Sequence, residues 1–222
     1  MTAQNTQKVF AIHNSPIDFL RQQIEVVLAD IKFDAIKIGM LGNQEIIDCV
    51  ADVINKKAKK IPLILDPVMV ATSGDLLLQE NAVVALKTKL LKKSFIATPN
   101  IDEAQVLIGK KITTISDMKN AATLIKKMGA KSVLVKGGHL ATKNKITSVL
   151  LDENDKFHLI SNPRFGQKNI HGTGCTLATA IACNIAKKLD LVKAVRNANS
   201  YVYRSITKSL KIGQGSLILQ HF

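Results

Sequence analysis

Tryptophan is absent from the 222 residues of the chain, and tyrosine occurs only twice. Aromatic side chains make up 4% of the residues, so the stacking platforms that bind single-stranded nucleic acid are scarce. Arginine is also rare, because only four of the 31 basic residues are arginines. Base readout and bidentate phosphate recognition favour arginine. We therefore expect no nucleic-acid partner, although the net charge of +14 attracts anions in general.

Cysteine is too scarce for a disulfide framework. The three cysteines are Cys49, Cys175 and Cys183, an odd number without C-x-x-C spacing. This pattern argues against both a disulfide scaffold and a structural zinc site. We expect reduced thiols.

Long apolar runs are missing as well. No stretch of roughly 18 uncharged apolar residues occurs, so the sequence predicts no membrane span. The first six residues form neither a signal peptide nor an Arg-rich leader, which predicts a cytoplasmic protein. With 46% hydrophobic residues and no linker rich in Pro, Gly or Ser, we expect one domain over residues 1–222.

Short apolar segments alternate with longer amphipathic segments along the whole chain. This alternation is typical of an α/β fold with a mostly parallel sheet and helices on both faces. The predicted strands are 9–12, 35–40, 62–68, 95–98, 132–136 and 148–151. The predicted helices are 17–31, 44–59, 81–91, 101–108, 117–128, 173–188 and 191–210, with a hairpin-like section at 147–160.

Two glycines lie at the start of the helix predicted at 173–188. In an open parallel sheet, ligands bind beyond the carboxyl ends of the strands, so the segment Ile-His-Gly-Thr-Gly-Cys-Thr at 170–176 is of interest. Gly172 and Gly174 allow a tight turn that exposes backbone N–H groups at a helix N-terminus, which is a site for phosphate. The alternative is a simple glycine turn followed by a small buried cysteine.

Three further strand ends carry charged or polar residues. Asp66 can hold Mg²⁺ or initiate a turn before Pro67. Asn100 and Glu103 open an acidic helix start, or form a capping box. Lys136, before two glycines and His139, can neutralise a phosphoryl group or be a surface lysine before a turn.

Together these strand ends supply the parts of phosphoryl transfer: an anion site, a metal carboxylate, a positive charge and a base. Neither a P-loop nor a protein-kinase signature occurs, which excludes those kinase classes. Five segments, in order along the chain, resemble the motifs of the hydroxymethylpyrimidine/phosphomethylpyrimidine kinase family, the thiamine-pathway branch of the ribokinase superfamily. They are IGMLG at 38–42, LDPVMVATSGD at 65–75, TPNIDE at 98–103, VKGGH at 135–139 and HGTGCT at 171–176.

The resemblance implies a ribokinase-like three-layer α/β/α sandwich with a mostly parallel central sheet. It also implies phosphorylation of 4-amino-5-hydroxymethyl-2-methylpyrimidine, and then of its monophosphate, with ATP and Mg²⁺. Dimers are usual in this family, so we expect a homodimer. Pyridoxal kinase, of the same superfamily, is the alternative enzyme, and a noncatalytic nucleotide-binding module is the alternative outside enzymes.

The family's roles are carried over residue by residue. Cys175 would be the general base, and the backbone N–H groups of Gly172, Thr173, Gly174 and Cys175 would form an anion hole. The other implied roles are Mg²⁺ binding by Asp66 and Glu103, nucleotide binding by Asn100 and Lys136, and a pyrimidine pocket lined by Gln4, Met40 and Val68.

Two departures from the family accompany this resemblance. Residues 2–6 resemble a segment that members reach only after a first strand–helix–strand unit, so the chain is expected to be N-terminally truncated and its activity impaired. A different start site, a separately encoded N-terminal fragment and an inactive remnant remain open. In addition, Asn199 replaces a lysine that the family usually has near the phosphates.

Overall fold

The computed structural model describes residues 1–69, 80–138, 144–166 and 170–221. A six-stranded sheet forms the centre of this part of the chain. Its strands are β3 Ile36–Ile38, β4 Leu63–Leu65, β5 Ile96–Ala97, β6 Val133–Val135, β7 Lys145–Leu151 and β8 Phe157–Pro163, and they lie in this order across the sheet. Strands β3 to β6 run parallel, whereas β7 and β8 form an antiparallel hairpin at one edge.

Helices cover both faces of this sheet. They are α1 Ile17–Asp30, α2 Gln44–Lys57, α3 Glu80–Ala85, α4 Ile101–Ile108, α5 Ile115–Lys127, α6 Thr173–Ala186 and α7 Leu191–Thr207. The chain continues from α3 through a π-helical segment, Leu86–Leu90, and a 3₁₀ turn, Leu91–Lys93. The predicted helix at 81–91 is therefore helical throughout but not a regular α-helix.

Two hydrophobic cores explain why the parallel strands are almost entirely apolar. Along each strand, every second residue faces α6 and α7. Examples are Ile64, Ile96 and Leu134, which pack against these two helices. The residues between them, such as Leu65 and Val133, pack against the helices of the opposite face. Because both faces of each strand are buried, no polar alternation remains. The predicted three-layer sandwich with a mostly parallel sheet is confirmed.

Two pairs of short strands lie outside the central sheet. Val9–Ile12 is a strand, β2, as predicted, but it pairs antiparallel with β1, Thr2–Gln4, rather than joining the parallel sheet. The side chain of Phe10 is 61% exposed, so this hairpin lacks the cover that parallel strands receive from helices. The second pair is β9, Ile170–His171, with β10, Leu217–Ile218.

Helix starts follow the capping residues. Asn43 caps α2 by accepting a hydrogen bond from the N–H of Ile46. Thr114 caps α5 in a capping box with Asp117, so the helix begins at Ile115 and not at the predicted 117. Asp117 is the third residue of the helix, where its carboxylate turns back to the cap.

None of the helices in the described ranges combines the length and the apolar character that crossing a bilayer requires.

Candidate active site

Three strand ends bring charged side chains together at one edge of the sheet. Asp66 follows β4, and Lys136 follows β6 two strands away, with β5 between them. The Nζ of Lys136 lies 2.7 Å from Oδ1 of Asp66 and 3.9 Å from Oε2 of Glu103, in the first turn of α4. The sequence predictions of a metal carboxylate and a phosphate-neutralising lysine therefore fall in one network.

The network is nearly closed to solvent. Asp66 is 1% exposed and Glu103 is 3% exposed. Burial is the largest single influence on Lys136 and lowers its pKa, but the charges of Asp66 and Glu103 and the hydrogen bond to Asp66 together outweigh it. The pKa of Lys136 is therefore raised above its ordinary value. Lys136 stays charged, and the reading of this residue as a surface lysine before a turn is wrong.

Thr98 completes the network and was not singled out as a site residue in the sequence. Its hydroxyl donates to Oδ1 of Asp66 at 3.1 Å, and the side chain is fully buried. Its position in the sequence could have indicated a role in the site, because Thr98 directly follows β5, the strand between β4 and β6. A polar residue after an all-apolar strand needs a partner inside the fold.

The glycine segment lies directly against this network. Gly172 adopts the left-handed conformation, with φ +87, and forms the N-cap of α6. The first N–H groups of a helix have no partner within the helix, so they are available to an anion. A Cβ on Gly174 would stand 3.2 Å from Nζ of Lys136 and 3.9 Å from Oδ2 of Asp66. We call the backbone N–H groups of residues 172–175 the anion cradle. A side chain at position 174 would occupy the space beside it, so glycine keeps the cradle open.

Cys175 follows the cradle in the first turn of α6 and is exposed. It borders a cavity of about 680 Å³ between α6 and α7, whose other lining residues include Thr179, Asn197 and Arg204. Tyr201 and His221 also line the cavity, and a 2.9 Å hydrogen bond joins Oη of the tyrosine to Nδ1 of the histidine. The alternative reading of Cys175 as a small buried residue is wrong.

The capping box expected as an alternative for Asn100 and Glu103 is present. Oδ1 of Asn100 accepts the N–H of Glu103 at 2.8 Å, and Oε2 of Glu103 accepts the N–H of Asn100 at 2.7 Å. The same Oε2 faces Lys136, so the cap holds Glu103 in the network. Direct contacts of Asn100 with a nucleotide, and of Glu103 with a metal ion, stay predictions.

A shared pyrimidine pocket of Gln4, Met40 and Val68 stays a prediction. Met40 borders a cavity of about 340 Å³ together with Thr2 and Ile12. Gln4 lies in β1 and is exposed, and Val68 is half-buried after β4. Neither of them borders this cavity. Residues 70–75 and His139, which belong to the quoted motifs, lie outside the described residues.

The donor set fits Mg²⁺ held jointly by protein and nucleotide. Within the described ranges, no three His, Cys, Asp or Glu side chains lie close enough to hold a metal ion by themselves. Mg²⁺ commonly takes one or two carboxylates and completes its shell with water and phosphate oxygens. Asp66, beside the open cradle, suits that arrangement.

An anion cradle at the start of a late helix, next to a buried lysine–carboxylate network on a three-layer α/β/α fold, defines a ribokinase-like small-molecule kinase. The family model described as Phosphomethylpyrimidine kinase matches residues 1–220. The chain is 44% identical to a hydroxymethylpyrimidine/phosphomethylpyrimidine kinase of Haemophilus influenzae over 218 residues, which is 97% of this chain and 80% of that protein. The chain therefore belongs to the phosphomethylpyrimidine kinase family.

Solved structures show the same fold. A pyridoxal kinase from Staphylococcus aureus in complex with AMP-PCP is 32% identical, with a TM-score of 0.88 over 100% of this chain and 79% of that one. A phosphomethylpyrimidine kinase from Clostridium difficile is 36% identical, with a TM-score of 0.80 over 92% of this chain and 83% of that one. The predicted resemblance and the ribokinase-like fold are confirmed.

Proposed function

We propose that the protein transfers the γ-phosphoryl group of ATP to the hydroxymethyl group of 4-amino-5-hydroxymethyl-2-methylpyrimidine, and then phosphorylates the monophosphate, in the synthesis of thiamine diphosphate. The observation that supports this most directly is the position of Gly174 beside the charged network: a Cβ on this glycine would stand 3.2 Å from Nζ of Lys136 and 3.9 Å from Oδ2 of Asp66. The 44% identical relative carries the same activity in its name.

Each residue of the site has a chemical task in this proposal. Cys175 takes the proton of the hydroxymethyl group as its oxygen forms a bond to the γ-phosphorus and the bond to the ADP oxygen breaks. The N–H groups from Gly172 to Cys175 stabilise the negative charge of the transferring group. Lys136 adds a positive charge beside them. Mg²⁺, when bound at Asp66 and Glu103, would neutralise phosphate charge.

The substrate and the nucleotide are proposed to approach this edge from two sides. Gln4, Met40 and Val68 would bind the pyrimidine, where an amide can hydrogen-bond the aminopyrimidine edge. The cavity of about 680 Å³ beside Cys175 has room for the nucleoside part of ATP, since small-molecule sites range from about 300 to 1,000 Å³. Asn100 is proposed to take part in binding the nucleotide.

The test is ADP release by the purified 222-residue chain with ATP, Mg²⁺ and the hydroxymethylpyrimidine. Pyridoxal is the second candidate substrate, because a pyridoxal kinase superposes with a TM-score of 0.88. Both compounds are offered together, and the two phosphorylated products are separated and quantified. A larger kcat/KM for the pyrimidine supports the proposal, and a larger value for pyridoxal contradicts it.

The noncatalytic alternative gives a different result. A nucleotide-binding module would bind ATP equally well with and without the thiol of Cys175 and would release no ADP with either acceptor. A kinase loses phosphoryl transfer in Cys175→Ala while ATP binding survives. Turnover and ATP affinity are therefore measured on both proteins.

We also propose that an open side of the sheet is covered by a separately encoded strand–helix–strand fragment. The N–H of Ile36 and the C=O of Ile38 face β4, so the peptide groups of Lys37 point away from it, where no described strand pairs with β3. Nearby, α1 has no buried residue, and Phe19 and Val26 are 55% and 56% exposed. Apolar surface and unpaired strand edges of this kind favour a partner.

The fragment proposal is tested with the first strand–helix–strand unit of a family member, produced as a separate polypeptide. The unit is added to the chain, and binding and ADP release are measured. Binding that is lost in Phe19→Ser, together with increased turnover, supports the proposal. Full activity without the unit, and no binding, contradict it.

The remaining proposals concern the domain organisation, the oligomeric state and the location in the cell. We propose a single cooperatively folding domain that forms a homodimer in the cytoplasm. The exposed cysteines Cys175 and Cys183 are unpaired, which suits a reducing compartment. Calorimetric unfolding, light scattering and cell fractionation test the three statements separately.

A further inference from the structure

Thr98 holds Asp66 from a strand that neither Asp66 nor Lys136 belongs to. The N–H of Thr98 bonds the C=O of Leu65 at 2.9 Å, which fixes the end of β5 against β4. The hydroxyl lies 3.1 Å from Oδ1 of Asp66 and 3.5 Å from the C=O of Leu65. A buried hydroxyl needs an acceptor, and the carboxylate is the closer of the two.

Both donors to Asp66 use the same oxygen. Lys136 and Thr98 converge on Oδ1, at 2.7 Å and 3.1 Å. Among the described residues no donor is bonded to Oδ2, and this oxygen lies 3.9 Å from the position that a Cβ on Gly174 would take. The two hydrogen bonds therefore hold Oδ2 on the side of the cradle, where it would be available to a metal ion.

The two donors differ in how firmly they hold the carboxylate. The ammonium of Lys136 sits on a flexible four-carbon stem, faces Glu103 as well as Asp66, and lies next to the cradle. A bound phosphate would compete with Asp66 for this ammonium. Thr98 has one side-chain torsion with few allowed positions on a strand end that is fixed on both sides, so its bond to Oδ1 can persist when Lys136 turns to a phosphate.

We propose that Thr98 is a positioning residue that keeps Oδ2 of Asp66 directed at the metal ion of the metal–nucleotide complex. The proposal rests on the proposed function for the identity of the ligand. Hydrogen bonds to a metal-binding carboxylate typically change metal affinity by about 10-fold to 100-fold, so we expect Thr98 to act on metal affinity rather than on nucleotide affinity.

The test compares Thr98→Val, Thr98→Ser and a control, Thr123→Val. Valine keeps the shape of threonine but removes the hydroxyl, and serine restores it. Thr123 donates its hydroxyl to the C=O of Lys119 within α5, so the control removes a threonine hydrogen bond outside the site. The probes are Mn²⁺ in the presence of ADP, followed by electron paramagnetic resonance, and ADP alone in EDTA, followed by calorimetry.

We expect Thr98→Val to weaken Mn²⁺ binding in the ADP complex by about 10-fold to 100-fold, with the affinity for metal-free ADP unchanged. Thr98→Ser should restore Mn²⁺ binding, and Thr123→Val should leave it at the wild-type value. The inference is overturned if Thr98→Val lowers the unfolding midpoint without changing Mn²⁺ affinity, or if serine fails to restore binding. Because the readout is binding, a wild-type chain that binds Mn²⁺ and ADP but phosphorylates neither acceptor contradicts the proposed function alone.

Discussion

Lys136 and Asp66, 70 residues apart in the sequence, form a 2.7 Å ion pair across the end of the strand that lies between their own. Oε2 of Glu103 lies 3.9 Å from the same ammonium, so one cation serves two buried carboxylates. Removing such charges from water costs about as much free energy as their attraction returns. The network is therefore better explained by chemistry at this edge of the sheet than by stability.

Lys136→Met tests this view of the network. Loss of the ammonium leaves Asp66 buried without its cation, and breaking a buried pair in this way destabilises a protein by about 3–5 kcal/mol. The double variant Lys136→Met with Asp66→Asn should cost less than the sum of the two single variants, because it removes charges of both signs. The measurement is urea unfolding of all four proteins, and strictly additive losses would contradict the coupling.

Gly174→Ala should separate activity from stability. The new Cβ would stand 3.2 Å from Nζ of Lys136, in the space that we assign to phosphate, so kcat/KM for ATP should fall at least about tenfold, which corresponds to about 1.4 kcal/mol. Within a helix, alanine is favoured over glycine by about 0.5–1 kcal/mol, so the unfolding midpoint should hold or rise.

The matched control for this glycine is Gly138→Ala. A Cβ at Gly138 meets no atom of residues 1–69, 80–138, 144–166 or 170–221 within 4 Å, although the residue lies two positions after Lys136. We expect its kcat/KM to stay close to the wild-type value. Equal losses in the two variants would mean that the space at Gly174 is not the phosphate site.

Most of the architecture could be predicted from hydrophobic patterning. The segments predicted as strands at 62–68 and 132–136 are mainly apolar because both faces of β4 and β6 are buried. The first segment contains β4 and the second contains β6. The hairpin of β1 and β2 could not be placed in this way, because pairing partners depend on turn geometry and local register. Its residues are mostly exposed, so burial gave no signal for where they belong.

The sequence indicated individual candidate residues but not their arrangement in space. Strand ends indicated Asp66 and Lys136, yet their direct contact depends on strand order, which a single sequence does not give. Asn100 and Glu103 illustrate the same limit of sequence-based prediction. Their pattern is compatible with a helix cap or with site residues, whereas in the structure Glu103 belongs both to the cap and to the network. Thr98 begins the segment TPNIDE, but the sequence does not show that its hydroxyl bonds Asp66, because the order of the strands decides that contact.

Cys175→Ala should lower kcat while ATP binding is retained. A positioned general base contributes about 10²-fold to 10⁴-fold to a rate, so we expect a loss in that range, measured by ADP release with the hydroxymethylpyrimidine. The affinity for ATP, measured by calorimetry, should change little because the anion cradle uses backbone N–H groups.

Cys183→Ala is the control for the loss of a thiol. Cys183 is also exposed and lies on the same helix, eight residues further on, where it borders the same cavity. Its replacement can alter KM for ATP, but kcat should stay at the wild-type level. A large loss of kcat in Cys183→Ala with none in Cys175→Ala would exclude the proposed base.

We expect Asp152, which lies outside the candidate active site, to make the free energy of unfolding depend on pH. It is 5% exposed, and its carboxylate accepts hydrogen bonds from the N–H groups of Asn154 and Lys156 in the β7–β8 turn. A ring nitrogen of His158 also lies within hydrogen-bonding distance, at 2.7 Å. Burial is the largest single influence and raises the pKa of Asp152, but the hydrogen bonds together outweigh it, so the pKa is lowered.

A lowered pKa means that the folded state binds fewer protons than the unfolded state at moderately acid pH, so stability rises with pH in that range. The contribution of Asp152 is therefore complete above the unfolded pKa of about 3.9 and is lost as the pH falls through the lower folded pKa. At neutral pH, Asp152→Asn should reduce the free energy of unfolding by about 1–3 kcal/mol, because the amide disrupts this set of hydrogen bonds. The difference from wild type, measured by urea unfolding across a pH series, should shrink below the unfolded pKa. A difference that stays constant down to the acid limit would show that the carboxylate charge plays no part in holding the turn.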